Sequence, residues 1–203
     1  MTLIVTGMIG EYAFIAADRK RPPVYDLKKT KTESRILRVN NVFLVGSCNI
    51  DIAKKYNKYF SKIAKNNPDD LTDKALHLKY FEAMSDCERV NYFLLFRTTS
   101  NQIYHTLYSQ TGETSHEVHT LNMRKDRNDV FCLIPPFDLD GEAVQDRLNY
   151  LVSIMPDKSL NSITNVLKQL YTECSHISPF VMSGFHFAVL HQTEPDVFKF
   201  IDN

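Results

Sequence analysis

No segment of the chain reaches the roughly 18 consecutive apolar residues that a membrane-crossing helix needs, so the sequence offers no membrane span. The first residues lack the basic stretch and small-residue cleavage site of a secretory signal, and the expectation is a cytoplasmic protein with no membrane partner. Net charge is missing as well. The 24 Lys and Arg balance the 24 Asp and Glu, so no long-range field draws the chain to nucleic acid. Short basic clusters at Arg19 to Arg21, Lys28 to Lys31 and Arg124 to Arg127 fit loops or solvated faces. Cysteine is sparse. Cys48, Cys87, Cys132 and Cys174 lie far apart with no Cys-x-x-Cys pair, which supports reduced thiols and neither a disulfide framework nor a zinc site. His105, His116 and His119 share one β-rich region without a metal-ligand spacing, and neither a metal nor a cofactor is expected. No internal repeat or low-complexity segment interrupts the chain.

What remains is a globular composition, 43% hydrophobic and 24% charged, in 203 residues, enough for one domain with a sizeable core. Period-two runs predict strands at Leu3 to Gly7, Tyr12 to Ala17, Arg35 to Val39 and Val42 to Val45, with a tight connection at Gly10-Glu11 and a turn at Asn40-Asn41. The period changes at Asp51. Ile52, Tyr56, Tyr59, Phe60 and Ile63 mark an amphipathic helix that stops near Asn66-Asn67-Pro68, and a second helix is expected from about Leu71 to Ser85. Strands return at Val90 to Phe96, Ile103 to Tyr108, His116 to Leu121 and Val130 to Ile134, read as an antiparallel meander. A helix from Gly141 buries Val144, Leu148, Leu151 and Met155 and ends at Pro156. Ser159 caps the next, which buries Leu160, Ile163, Leu167, Leu170 and Cys174. Met182 to Leu190 and Val197 to Ile201 form a closing hairpin.

The order is strands, two helices, strands, two helices, strands. Two antiparallel sheets that face each other, each covered outside by a helix pair, satisfy it, and the predicted fold is an α+β four-layer αββα sandwich.

The first eighteen residues carry the chemistry. Removal of Met1 would leave Thr2 with a hydroxyl nucleophile and a free α-amine whose pKa of roughly 8 suits it to take the hydroxyl proton. Two paired strands bring their far ends together, so Asp18, at the end of the second, is expected beside Thr2, at the start of the first. The run Thr2-Leu-Ile-Val-Thr followed by Tyr12-Ala-Phe-Ile-Ala-Ala-Asp18-Arg19 resembles the opening of proteasome β-type subunits and their bacterial relatives, members of the N-terminal-nucleophile hydrolases. The element order of the whole chain is similar to that family too.

That resemblance implies further roles. The family's assisting lysine on the third strand is matched by Arg35, which supplies charge but no titratable ammonium; Lys28, Lys29 or Lys31 is an alternative donor. The family's oxyanion turn is matched by Val45-Gly46-Ser47-Cys48-Asn49, where backbone N–H groups of Ser47, Cys48 and Asn49 are the candidate donors; a plain strand-to-helix turn is the other reading. Ser183-Gly184 matches the Ser-Gly that orients the amine, but Phe180 stands where the family carries an aspartate. Pro135-Pro136-Phe137-Asp138 replaces a Ser-Gly at the third helix.

Two functions follow from the resemblance. One is an N-terminal-threonine amide or peptide hydrolase, or a transpeptidase of the kind that certain archaeal proteasome homologues with a similar Met-Thr-Leu start perform. The other is a proteasome-like structural or partner-binding subunit that has lost the chemistry. Tyr56, Tyr59, Phe60, Phe81 and Met84 are expected to leave apolar surface on the helices, and with it a homo-oligomer, for which the resemblance implies a ring-type assembly.

Overall fold

The computed structural model describes residues 3–18, 35–47, 50–73, 75, 89–111, 115–122, 128–133 and 138–202. The fold is α+β with two antiparallel sheets, and the chain divides into two compact units, Met1–Ile36 with Arg124–Asn203, and Leu37–Met123.

The first unit is built on a five-stranded sheet whose strands, in order across it, are Val197–Ile201, Phe185–His191, Tyr12–Asp18, Ile4–Ile9 and Asn128–Leu133, so the first and last strands share one sheet. Its strands are β1 (Ile4–Ile9), β2 (Tyr12–Asp18), β8 (Asn128–Leu133), β9 (Phe185–His191) and β10 (Val197–Ile201). Gly10 turns the first hairpin at φ +58°, a conformation that glycine adopts without a Cβ clash. The expected meander is corrected at its last strand. β8 leaves its sequence neighbours and pairs with β1, Gly7 opposite Val130. That pairing explains Gly7, whose Cβ would stand 2.4 Å from the Asp129 carbonyl oxygen.

Two helices cover this sheet's apolar residues. Helix α2 (Gly141–Ser153) starts at Asp140, whose carboxylate accepts from the N–H of Glu142 and Ala143. Helix α3 (Leu160–Ile177) starts at Ser159, as its sequence predicts, with the Ser162 N–H donating to the Ser159 hydroxyl. Val144, Leu148, Leu151, Ile163, Leu167, Leu170 and Cys174 meet Leu3, Val5, Phe14, Ala16, Phe185 and Phe187 in one core. Burial pushes the Cys174 thiol up to about 11, so at neutral pH it is an inert apolar group.

The second unit holds a five-stranded sheet whose strands lie side by side in sequence order. Its strands are β3 (Leu37–Val39), β4 (Val42–Ser47), β5 (Arg89–Arg97), β6 (Ile103–Thr111) and β7 (Ser115–Asn122). Asn40 takes φ 53° in the β3–β4 turn, which the Asn-Asn signal predicts. Helix α1 (Ile50–Asn66) packs on this sheet through an aromatic cluster in which Phe60 stacks on Tyr92 at 5.1 Å and Tyr56 lies 5.6 Å from Tyr92. Tyr56 and Phe60 are fully buried there, which corrects the expectation that they offer surface; Tyr59 is half-buried. The aromatic rings are consumed by one another across the helix–sheet contact. A 3₁₀ turn at Pro68–Thr72 follows; most of the second predicted helix, including Phe81 and Met84, lies outside the described residues. Among the described residues no helix is long and apolar enough to cross a membrane.

Candidate functional site

The β1–β2 hairpin pairs Ile4 with Ala17 through to Ile9 with Tyr12. One step further the Asp18 N–H donates to the Leu3 carbonyl oxygen at 3.3 Å. The hairpin therefore carries Asp18 to the residue that follows Thr2, as the spacing predicts; Thr2 itself lies outside the described residues. On its other side β2 pairs with β9, Asp18 opposite Phe185. Asp18 is thus held by two ladders at one end of the sheet.

Its carboxylate is fully buried. Among the described residues Arg35 is the cation that meets it, with Nε 3.6 Å from Oδ1. Among the described residues neither carboxylate oxygen accepts a hydrogen bond of ordinary geometry, although the backbone N–H groups of Met182 and Leu3 lend weaker support to the anion. Burial dominates: it pushes Asp18 up to about 7 against the pull of the Arg35 charge. Arg35 is lowered in turn, again by burial first and against the charge of Asp18. Burial shifts both partners toward their neutral forms, and the ion-pair contact at 3.6 Å through Nε, without the two short parallel bonds of a fork-on-carboxylate pair, does not offset it. A carboxyl poised near neutrality at a strand end is the kind of group found where protons are handled.

Arg35 differs from expectation in its placement. It sits in a bend with Ile36 ahead of β3 rather than inside a strand, and the strand is confined to Leu37–Val39. The bend frees the side chain from the alternation of a ladder, so its position can be set by Asp18. Lys28, Lys29 and Lys31 lie outside the described residues.

The segment before β9 completes the site. The expected strand from Met182 starts only at Phe185, which leaves Met182, Ser183 and Gly184 as irregular backbone next to Asp18. Ser183 is half-buried in that segment, one residue from the Met182 N–H. Phe180 is 52% exposed, so the position matched to the family's aspartate holds a phenyl ring in solvent. Instead, the buried hydroxyl of Ser178 donates to Asp138 Oδ1 at 2.9 Å and accepts from the Phe180 N–H at 3.2 Å. Asp138 and Ser178, from two of the stretches in which the sequence departs from the resembled pattern, therefore meet in one hydrogen bond.

The candidate oxyanion residues belong to the second unit. Val45, Gly46 and Ser47, expected in a turn, are ladder residues of β4, opposite Phe93, Tyr92 and Asn91; Cys48 and Asn49 lie outside the described residues. Gly46 has a packing reason, since a Cβ there would stand 2.6 Å from the Tyr92 ring.

Sequence reasoning misses two groups. One is the Met182 N–H, because a backbone donor has no side-chain signature. The other is Tyr171, whose hydroxyl donates to the Leu3 carbonyl oxygen at 3.1 Å. Its helical spacing marks it only as core; the signal was its phenol, which needs a polar partner when buried. Scanned against models of known families and searched against curated proteins, the sequence finds no match in either.

Proposed function

We propose that this chain is an N-terminal-threonine amide hydrolase in which Thr2 acts after removal of Met1. The observation that carries the function is the end of the first hairpin, where the Asp18 N–H is bonded to the Leu3 carbonyl and the buried Asp18 carboxylate faces Arg35. A buried carboxyl and a cation beside the residue after Thr2 have no evident structural need. Burial of both charges works against stability unless something else is gained.

The chemistry follows from the groups. The Thr2 α-amine takes the hydroxyl proton, and Oγ1 attacks the carbonyl carbon of a peptide or amide. The tetrahedral intermediate collapses, the amine leaves with the proton, and water hydrolyses the ester; a second amine in place of water gives transpeptidation. Arg35 lends positive charge that favours the unprotonated amine, and Asp18 orients Arg35. Ser183 orients the amine. The resemblance assigns the oxyanion to backbone N–H groups of Ser47, Cys48 and Asn49, which stands on sequence alone, as does the four-layer αββα order.

The competing function is a proteasome-like subunit without chemistry, which the solvent-exposed phenyl of Phe180 favours. Intact mass of the protein from its own host, with labelling by a β-lactone, separates the two. A mature chain lacking Met1 that labels, with a Thr2→Ala variant that does not, supports the hydrolase. Fully retained Met1, or equal labelling of Thr2→Ala, leaves the subunit. The rate of labelling should rise with pH between about 6 and 8, because Asp18 ionises near 7 and the α-amine loses its proton at roughly 8. A rate that is flat across that range removes both groups from the mechanism.

A further inference from the structure

We propose that Tyr171 is a positioning residue for Thr2, a role that rests on the hydrolase reading above. Tyr171 is on α3, fully buried, and its ring stacks on Phe185 at 4.5 Å and 15°. Phe185 is in turn the ladder partner of Asp18. From that fixed ring the hydroxyl reaches the Leu3 carbonyl oxygen at 3.1 Å, the same oxygen that accepts from the Asp18 N–H.

The geometry has a direct consequence for the nucleophile. The peptide plane that contains the Leu3 carbonyl is rigid, and only the φ and ψ of Leu3 separate it from the plane that carries the Thr2 carbonyl. Leu3 is itself fully buried in the core of the first unit, which removes most of that freedom. A terminal residue is otherwise the part of a chain most prone to fray. Two donors on one carbonyl, one from the helix and one from the neighbouring strand, hold the start of β1 against fraying. They tie Leu3, the residue that follows Thr2 in sequence, to the strand that ends in Asp18.

The test is Tyr171→Phe, which keeps the ring stacked on Phe185 and removes one hydroxyl. Inactivation by a β-lactone, followed by intact mass, is expected to slow about tenfold or more at saturation with the half-saturating concentration unchanged, because orientation rather than binding is lost. Val166→Ala on the same helix destabilises while leaving the Tyr171 hydroxyl in place, and should leave the rate unaltered once the folded fraction is matched. Incorporation of 3-fluorotyrosine at position 171, which retains the hydroxyl and the fold, should restore the wild-type rate. An unchanged rate in Tyr171→Phe, or equal slowing in Val166→Ala, overturns the role of Tyr171 while leaving Thr2 as nucleophile. A wild-type chain that labels no better than Thr2→Ala sinks the hydrolase itself, and Tyr171 with it.

Discussion

The two sheets of this protein solve the same packing problem with different materials. The second, β3 to β7, is assembled from consecutive strands, and the core under α1 is aromatic, with Tyr56, Phe60, Tyr92 and Phe96 fully buried. The first takes its strands from both ends of the chain. It buries aliphatic residues around Phe14, Tyr171, Phe185 and Phe187, alongside Thr6, Asp18, His186 and His191. A meander needs only local turns to form. A sheet that joins residue 4 to residue 133 and residue 18 to residue 185 must close long loops first, at a cost in chain entropy. What that closure gains is juxtaposition, since Leu3, Asp18, Arg35, Met182 and Tyr171 come from four separate parts of the sequence. The lesson is that convergence of distant segments in the first unit places a buried acid against a cation, whereas the second unit buries His105 and Thr106 side by side on one strand.

The contrast is open to direct attack. Phe60→Ala removes the ring stacked between Tyr56 and Tyr92 and should cost about 3–5 kcal/mol in chemical denaturation, against about 1 kcal/mol for Tyr59→Ala at its half-buried neighbour. Comparable losses at the two sites would mean that the aromatic stack is not the core of that unit. Next, the two sheets each hold a glycine under a close neighbour, but of different kinds. Gly7→Ala presses on the backbone of β8, which cannot yield, and should cost about 3 kcal/mol; Gly46→Ala presses on the Tyr92 ring, which can tilt, and should cost about 1 kcal/mol. The reverse order in urea midpoints would refute the assignment of backbone and side-chain contacts.

Acid sharpens the comparison further, because the buried ionisable groups of the two units pull in opposite directions. Burial raises Asp18 from 3.8 to about 7, so between those values the folded state holds a proton that the unfolded state releases. Its contribution to stability is present below pH 3.8 and is lost as pH rises to 7. Burial lowers His105 from 6.5 to about 4, so there the unfolded state holds the extra proton, and stability is lost as pH falls from 6.5 to 4. Each slope is at most about 1.4 kcal/mol per pH unit, and over the shared window they oppose each other. Asp18→Asn should expose a steeper loss of stability toward acid, and His105→Gln a gain toward acid. Parallel pH profiles for the wild type and both variants would show that neither group is buried as described.

The smallest effect concerns assembly. With Tyr56 and Phe60 turned inward, Tyr59 is the aromatic of α1 left for a homo-oligomer, a state that belongs to the proposed family likeness. Tyr59→Glu should dissociate it in sedimentation with little change in fold. A wild-type chain that sediments as a monomer of 23.5 kDa removes the oligomer from consideration.

Much of this was legible in the residues. Period two and period 3.6 located the first hairpin, α1, α2 and α3, because alternation and amphipathicity are local consequences of which face is buried. The caps at Ser159 and the left-handed turn at Asn40 were equally local. The hairpin spacing even placed Asp18 at the start of β1, since the register of a tight hairpin is arithmetic. Three features were not available in this way. The pairing of β8 with β1 was missed because a short apolar run carries no record of its partner. Tyr56 and Phe60 were misread as surface because helical spacing fixes a stripe but not how many rings the opposite face can absorb. The reach of Tyr171 to Leu3 spans 168 positions.

The sequence by itself determined the first hairpin, the helices α1 to α3 and the register that brings Asp18 to Leu3, because each depends on neighbours a few residues apart. Only the tertiary structure decided what Asp18 is. In sequence it is an acid at the end of a strand; in the fold it is sealed from water at a junction of β1, β2 and β9, and with Arg35 at 3.6 Å its carboxyl stands near neutrality instead of far below it. Solvation is set by everything that surrounds a group, and that sum exists only once the distant strands have met.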